Sequence, residues 1–286
     1  MTAIAAPRNS AEALAARTER HAPIYYLAMA CIAIAAGWLA RLSWGFWTDE
    51  AGSYWMAGGG WSAAIAKTEN FPGQSLLYSG VLSWFYHPGP HQELWLRIPS
   101  VAGVLLAGYF LYRLTEDVAG KGTGYLAVVP FFCTPAVIQA ATYARPYGLA
   151  LAAATGCAWK FQQFLNDGRA RTFAQYLVFS VLMIYFQYFF GFLLAVQTAL
   201  MLYFALRGKA AGWRWFLIAP PVWLASLWPL RASIQSLVHF AGGSYSSPIP
   251  PSVAQFFLLC FPMGPLIAGA VGCVAIADRQ SSGWPA

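Results

Sequence analysis

Two adjacent carboxylates, Asp49 and Glu50, stand just past an apolar run, in the segment Phe46-Trp47-Thr48-Asp49-Glu50-Ala51-Gly52-Ser53-Tyr54-Trp55. An Asp in the middle of hydrocarbon costs about 2.5 to 3.5 kcal/mol, so acids kept beside such a run need a partner and read first as functional. Neighbouring carboxylates resist ionising together, which raises the proton affinity of one of them and suits proton transfer. The competing explanation is local: Thr48 or Asp49 caps a surface helix whose first turn favours negative charge. One residue can do both. A second group of interest is Arg145, in Tyr143-Ala144-Arg145-Pro146-Tyr147. Its planar guanidinium can grip phosphate oxygens in pairs and stays charged when partly buried, and Pro146 holds the residue before it extended. The alternative for Arg145 is a side chain that snorkels to lipid headgroups.

The chain that positions these groups has 286 residues, 59% apolar, 17% aromatic and 9% charged. An average soluble domain is about 25% charged, so the composition is that of a membrane protein. Several apolar runs reach the roughly 20 residues needed to cross a bilayer, and they are continuous rather than alternating, which predicts an all-α polytopic helical bundle and argues against a β-barrel. The net charge of +7 is carried in short loops, as topology determinants are, so nucleic acid is set aside as a partner. Cys31, Cys133, Cys157, Cys260 and Cys273 fall within the predicted spans without metal-ligand spacing and read as packing residues.

Spans are predicted near Ile24 to Ser43, Ile98 to Leu114, Tyr125 to Thr142, Tyr147 to Phe164, Phe173 to Tyr188, Phe192 to Leu206, Trp215 to Trp228 and Val253 to Ile276. Residues 1–23 form a cytoplasmic tail, and the first span is an uncleaved anchor rather than a signal peptide. Between the first two spans, Asp49 to Lys67 and Gln74 to Tyr86 read as helices lying flat at the membrane surface, rich in Trp and Tyr. With the amino terminus inside, Arg113, Lys121, Lys160, Arg169, Arg171, Arg207, Lys209, Arg214 and Arg279 join Arg8, Arg17 and Arg20 on the cytoplasmic side. Only Arg41, Lys67, Arg97, Arg145 and Arg231 face outward, in accord with the positive-inside rule. That topology puts the loops 44–97, 141–147 and 231–252 on the outer face, together with Asp49, Glu50 and Arg145.

Four segments in this order, Thr48-Asp49-Glu50-Ala51, Phe71-Pro72-Gly73-Gln74-Ser75-Leu76-Leu77-Tyr78, Leu96-Arg97-Ile98-Pro99-Ser100 and Tyr143-Ala144-Arg145-Pro146-Tyr147-Gly148-Leu149, resemble the amino-terminal module of the GT-C glycosyltransferases. The nearest branch is that of the bacterial relatives of dolichyl-phosphate-mannose protein mannosyltransferases and lipid A aminoarabinose transferases, and the resemblance covers Ile24 to Leu206. It implies an enzyme of the inner membrane that moves a sugar, with inversion, from a polyprenyl-phosphate donor to a lipid, protein or polysaccharide acceptor on the outer face. It also implies that the acidic pair supplies a catalytic carboxylate. The chain departs from the pattern at Tyr143, where many relatives carry Glu, at Phe71-Pro72-Gly73, which replaces His-Pro-Pro, and at Gln187-Tyr188, where His-Tyr is common. It stops at Ala286, soon after Arg279, and reads as a minimal form, a fragment or the product of a frameshift.

Under that resemblance Asp49 is the base for the acceptor hydroxyl and Glu50 orients it or the acceptor. Arg145 takes the leaving phosphate; Arg97 is either a second phosphate contact or an anchor for its helix. Tyr54, Lys67, Glu69, Tyr143, Tyr147, Arg231 and His239 are candidates to line the substrate cavity, with a Lys67–Glu69 ion pair as the alternative for those two and a plain loop role for His239. The loop 231–252 could close over a bound donor. No metal site is assigned and no cofactor is certain; a divalent cation stays open. Two other readings of the same residues are a flippase or transporter for lipid-linked sugars and a truncated chain without catalysis.

Overall fold

The computed structural model describes residues 24–231 apart from 26, 72, 73, 188, 189 and 207–209, with the backbone alone for 192, 210–214 and 216. The tail 1–23, the predicted span Val253 to Ile276, His239 and nearly all of the loop 231–252 lie outside the described residues. What is described is all-helical. The order is α1 (Leu27–Leu42, with a π-helical stretch at Ile34–Trp38), α2 (Thr48–Ala57), α3 (Gly60–Glu69), α4 (Leu76–Phe85), α5 (Gln92–Ala119), α6 (Gly124–Cys133), α7 (Pro135–Thr142), α8 (Tyr147–Asp167), α9 (Ala170–Phe186), α10 (Gly191–Leu206) and α11 (Ala210–Leu227), then a 3-10 turn at Trp228–Leu230.

Two elements differ from the sequence expectation, each for a local reason. The helix expected from Asp49 to Lys67 is broken in two by Gly58-Gly59-Gly60. Gly59 and Gly60 take φ of +95° and +84°, which only glycine adopts without strain. Lys67 then folds α3 back on α2, donating from Nζ to the carbonyls of Trp55 at 2.9 Å and Gly58 at 2.6 Å. The run Tyr125 to Thr142 is likewise two helices, α6 and α7, bent by 71°. Pro135 begins α7 and forces Thr134 into an extended conformation at φ −70°, ψ 126°.

Among the described residues α5 is the one helix long and apolar enough to cross a membrane unaided; α6 and α7 pass the same test only as a pair. The other apolar helices, α1, α4, α9, α10 and the stretch Leu217–Leu230, are shorter.

The principal packing is α5 against α8. These helices run side by side in the same direction, with Ser100 and Gly103 meeting Arg145 and Gly148 at one end and Asp117 meeting Trp159 and Gln163 at the other. Small residues bring the backbones together where they cross. A Cβ on Gly148 would sit 2.9 Å from the Ser100 Cα, and one on Gly103 would sit 2.7 Å from the Gly148 oxygen. On one side the pair buries Trp38, Val104, Val128 and Phe132 against α1, α6 and α7. On the other, Cys157, Phe161, Tyr176 and Met183 join α8 to α9 and α10.

This crossing sets the height of Arg145 relative to Arg97, so it should tolerate no added atom. Gly148→Ala is expected to lower stability by about 1–3 kcal/mol or more, read as a fall in the thermal midpoint of the purified protein in detergent. Gly191→Ala, where nothing lies within 4 Å of the added carbon, should leave the midpoint unchanged or slightly raised.

Candidate functional site

At the amino-terminal end of α5 the acidic couplet splits into two different groups. Glu50 is 1% exposed and Arg97, which faces it, is 2% exposed. Arg97 Nε donates to Glu50 Oε1 at 2.8 Å and Nη2 to Oε2 at 2.7 Å, a bidentate pair. The rest of the guanidinium is spent on backbone: Nη1 reaches the carbonyls of Arg41, Leu42 and Trp44 at 2.8–3.0 Å, and Nη2 that of Gly45 at 3.4 Å. These are the orphan carbonyls at the end of α1 and of the turn beyond it. Glu50 in turn accepts from the Ala144 N–H at 2.7 Å and, as the third residue of α2, from the Trp47 N–H at 3.0 Å. One buried ion pair therefore joins the end of α1, the start of α2, α5 and the loop before α8.

Burial alone would push the proton affinity of Glu50 up. The hydrogen bonds from Arg97, Ala144 and Trp47, with the Arg97 charge, outweigh it and hold the carboxyl below the usual value of 4.5. Glu50 is thus a fixed carboxylate with both oxygens engaged. Arg97 has every N–H committed, so it serves as the anchor of its helix end, and the second phosphate contact has no donor left to make it.

Asp49, one residue earlier, points the other way and is 64% exposed. Arg145 comes to it from the loop before α8, with Nη2 at 4.0 Å from Oδ2 and the side chain 15% exposed. Arg145 Nη1 donates weakly to Gln74 Oε1 at 3.4 Å, its guanidinium lies 5.8 Å from the Tyr147 ring, and its Nε is buried without a hydrogen-bond partner among the described residues. The couplet and Arg145, 96 positions apart in sequence, thus share one end of the helix pair. What fixes the height of Arg145 is a chain of hydroxyls. Ser100 Oγ donates to the Arg145 carbonyl at 3.0 Å, which commits its single hydrogen, so the Tyr78 hydroxyl, 3.0 Å away, donates to Ser100. Ser75 caps α4 by accepting from the Tyr78 N–H and ties that helix to α9 through the Tyr185 carbonyl at 2.7 Å.

The other expected cavity residues are distributed. Tyr147 and the half-buried Tyr143 flank Arg145 in sequence, and the Arg145 N–H closes a tight turn on the Tyr143 carbonyl at 2.8 Å. Tyr54 stacks between Phe46 and Tyr86 with centroids 5.5 and 5.0 Å away. Lys67 is engaged on α2, also 5.0 Å over the Trp55 ring, and Glu69 is exposed at the end of α3. Arg231 is exposed and lies over Trp228 at 4.5 Å. Gln74, Ser100 and Tyr78 belong to the site's frame and had no role assigned from sequence, although all three stand inside the quoted motifs.

No protein-family model, curated protein or solved structure matches this chain.

The Glu50–Arg97 lock has a pH signature. Because the folded carboxyl titrates below the unfolded one, its contribution to stability is complete above about pH 4.5 and is lost as pH falls through the folded value. Glu50→Gln is expected to cost about 3–5 kcal/mol at neutral pH by stranding Arg97 and to flatten the acid limb of a thermal-midpoint-against-pH profile. The exchange Glu50→Arg with Arg97→Glu should not rescue it, since a carboxylate at 97 would face four carbonyls.

Proposed function

We propose that this chain is a polytopic membrane glycosyltransferase of the GT-C kind, which transfers a sugar from a polyprenyl phosphate to an acceptor hydroxyl on the outer face of the inner membrane. The observation that carries the reading is the exposed Asp49 carboxylate 4.0 Å from the Arg145 guanidinium, beside a buried acid–base lock that keeps both in place. In this reading α1, α8, α9, α10 and α11 cross the bilayer with α5 and the bent α6–α7 pair. The 17 residues of α9, at 1.5 Å each, give about 25 Å of the roughly 30 Å of hydrocarbon, so packing against the longer α5 and α8 completes the crossing.

Inverting transfer asks for three things: a base at the acceptor hydroxyl, a cation at the leaving phosphate, and exclusion of water. Asp49 takes the hydroxyl proton as the acceptor oxygen forms its bond to the anomeric carbon. The bond from that carbon to the phosphate oxygen breaks with its electron pair, and the polyprenyl phosphate leaves with its charge matched by Arg145. Glu50 takes no part in the proton transfer, since both its oxygens are occupied and it holds its charge. The weak 3.4 Å contact of Nη1 to Gln74 and the 4.0 Å approach of Nη2 to Asp49 leave the ends of that guanidinium with hydrogen-bonding capacity for a phosphate.

The test supplies purified protein with radiolabelled polyprenyl-phosphate sugars and membrane acceptors. Asp49→Asn is expected to lower transfer by about 10²–10⁴-fold and Arg145→Gln by about 10²–10³-fold, with unchanged thermal midpoints. Undiminished transfer by Asp49→Asn would remove it from the mechanism. Movement of the labelled lipid across proteoliposomes without any transfer would assign the chain to the flippases.

A further inference from the structure

The end of the helix pair remote from Asp49 carries an imbalance of its own. Three carboxylates lie there, and each spends its hydrogen bonds on neutral donors. Asp117 Oδ2 accepts from Trp159 Nε1 at 2.8 Å and Gln163 Nε2 at 3.0 Å; Glu116 Oε1 accepts from the N–H groups of Gly122 and Gly124; Asp167 accepts from the Arg169 N–H and the Thr172 hydroxyl. Two cations sit over the same buried indole meanwhile, Arg113 at 5.3 Å from the Trp159 ring and Lys160 at 3.6 Å. Their polar contacts are to neutral groups, the Tyr109 hydroxyl at 3.4 Å for Arg113 and Gln163 Oε1 at 2.8 Å for Lys160. Among the described residues neither meets a carboxylate within ion-pair distance. Arg113, Asp117, Arg171 and Asp167 are close enough to Lys160 to act on it electrostatically, and Glu116 lies with Arg113 near Tyr112, yet among the described residues no carboxylate comes within ion-pair distance of either cation.

The surface leading away from Arg113 is apolar. Leu106 and Tyr109 are 44% and 38% exposed, and with Arg113 they fall at helical spacing on one face of α5. A cation pair at the head of such a strip matches an amphiphile, whose phosphate takes the charge and whose acyl chain lies along the strip. A small soluble anion would have no use for the strip.

We propose that Arg113 and Lys160, held over Trp159, bind the phosphate of an anionic phospholipid at the end of the α5–α8 pair opposite the Asp49–Arg145 site, with Leu106 and Tyr109 receiving its chain. The site is separate from sugar transfer: it rests on α5 crossing the membrane and on nothing in the reaction. Its role is to clamp the far ends of the two helices, whose near ends carry the site residues.

The experiment measures the thermal midpoint of the full chain in a mild detergent, titrated with phosphatidylglycerol, phosphatidylcholine or inorganic phosphate. Phosphatidylglycerol should raise the midpoint saturably and the other two should not. In Arg113→Gln/Lys160→Gln the concentration needed should rise about tenfold or more. The control Arg169→Gln/Arg171→Gln removes the same net charge from the same end and should respond as the native chain does. If the first double variant does not fold, Lys160→Gln alone is read in the same way. Equal stabilisation of native and Arg113/Lys160 variants, or an equal loss in the control pair, would overturn the site; a matching response to inorganic phosphate would assign it to a soluble anion and overturn the lipid.

Discussion

A bidentate ion pair with almost no access to water holds the Asp49–Arg145 end of this molecule together. Removing Glu50 and Arg97 from water carries a desolvation cost of several kcal/mol per ion, and it is offset only because each remaining hydrogen-bonding position is filled. The fill comes from three stretches of backbone: the carbonyls of Arg41, Leu42, Trp44 and Gly45, the Trp47 N–H and the Ala144 N–H. A cluster of this kind is less a source of net stability than a device that fixes how segments distant in sequence meet. Its geometry sends Glu50 inward and, one position along the same helix turn, Asp49 outward.

In the proposed reaction the consequence is a division of labour within one dipeptide. A base must be reachable and free to accept a proton; a scaffold ion must be neither. Arg145 obeys the same logic from the other side, with its main chain held by Ser100 and the tight turn on Tyr143 and its guanidinium left weakly engaged. Rigid backbone under a lightly held charged side chain is the arrangement that lets a site meet a charged substrate without paying again for order.

Much of this architecture was legible in the residues. Apolar length marked the helical runs; of the two helices expected between residues 49 and 86, the second is α4 and the first is broken into α2 and α3. Two breaks were not read, at Gly58-Gly59-Gly60 and at Thr134-Pro135, although glycine in the left-handed region and the constraint before proline are both local signals. The partner of Glu50 could not be read, because nothing local in Leu96-Arg97-Ile98 says that a guanidinium will find four carbonyls some fifty residues upstream. Nor could the roles of Tyr78 and Ser100, whose hydroxyls gain meaning only when α4, α5 and the loop before α8 converge. Lys67 shows the reverse error: a cation next to Glu69 suggested a substrate contact or an ion pair, and its reach instead closes the α2–α3 turn.

In the proposed reaction Arg145 holds the phosphate of a lipid carrier while Asp49 stands beside it for the proton, and equilibrium binding of a polyprenyl phosphate to the purified chain separates the two roles. Arg145→Gln is expected to weaken binding at least about tenfold, whereas Asp49→Asn should bind as tightly as the native protein or more so, having lost a competing carboxylate. Equal affinity for the native and Arg145→Gln proteins would contradict it.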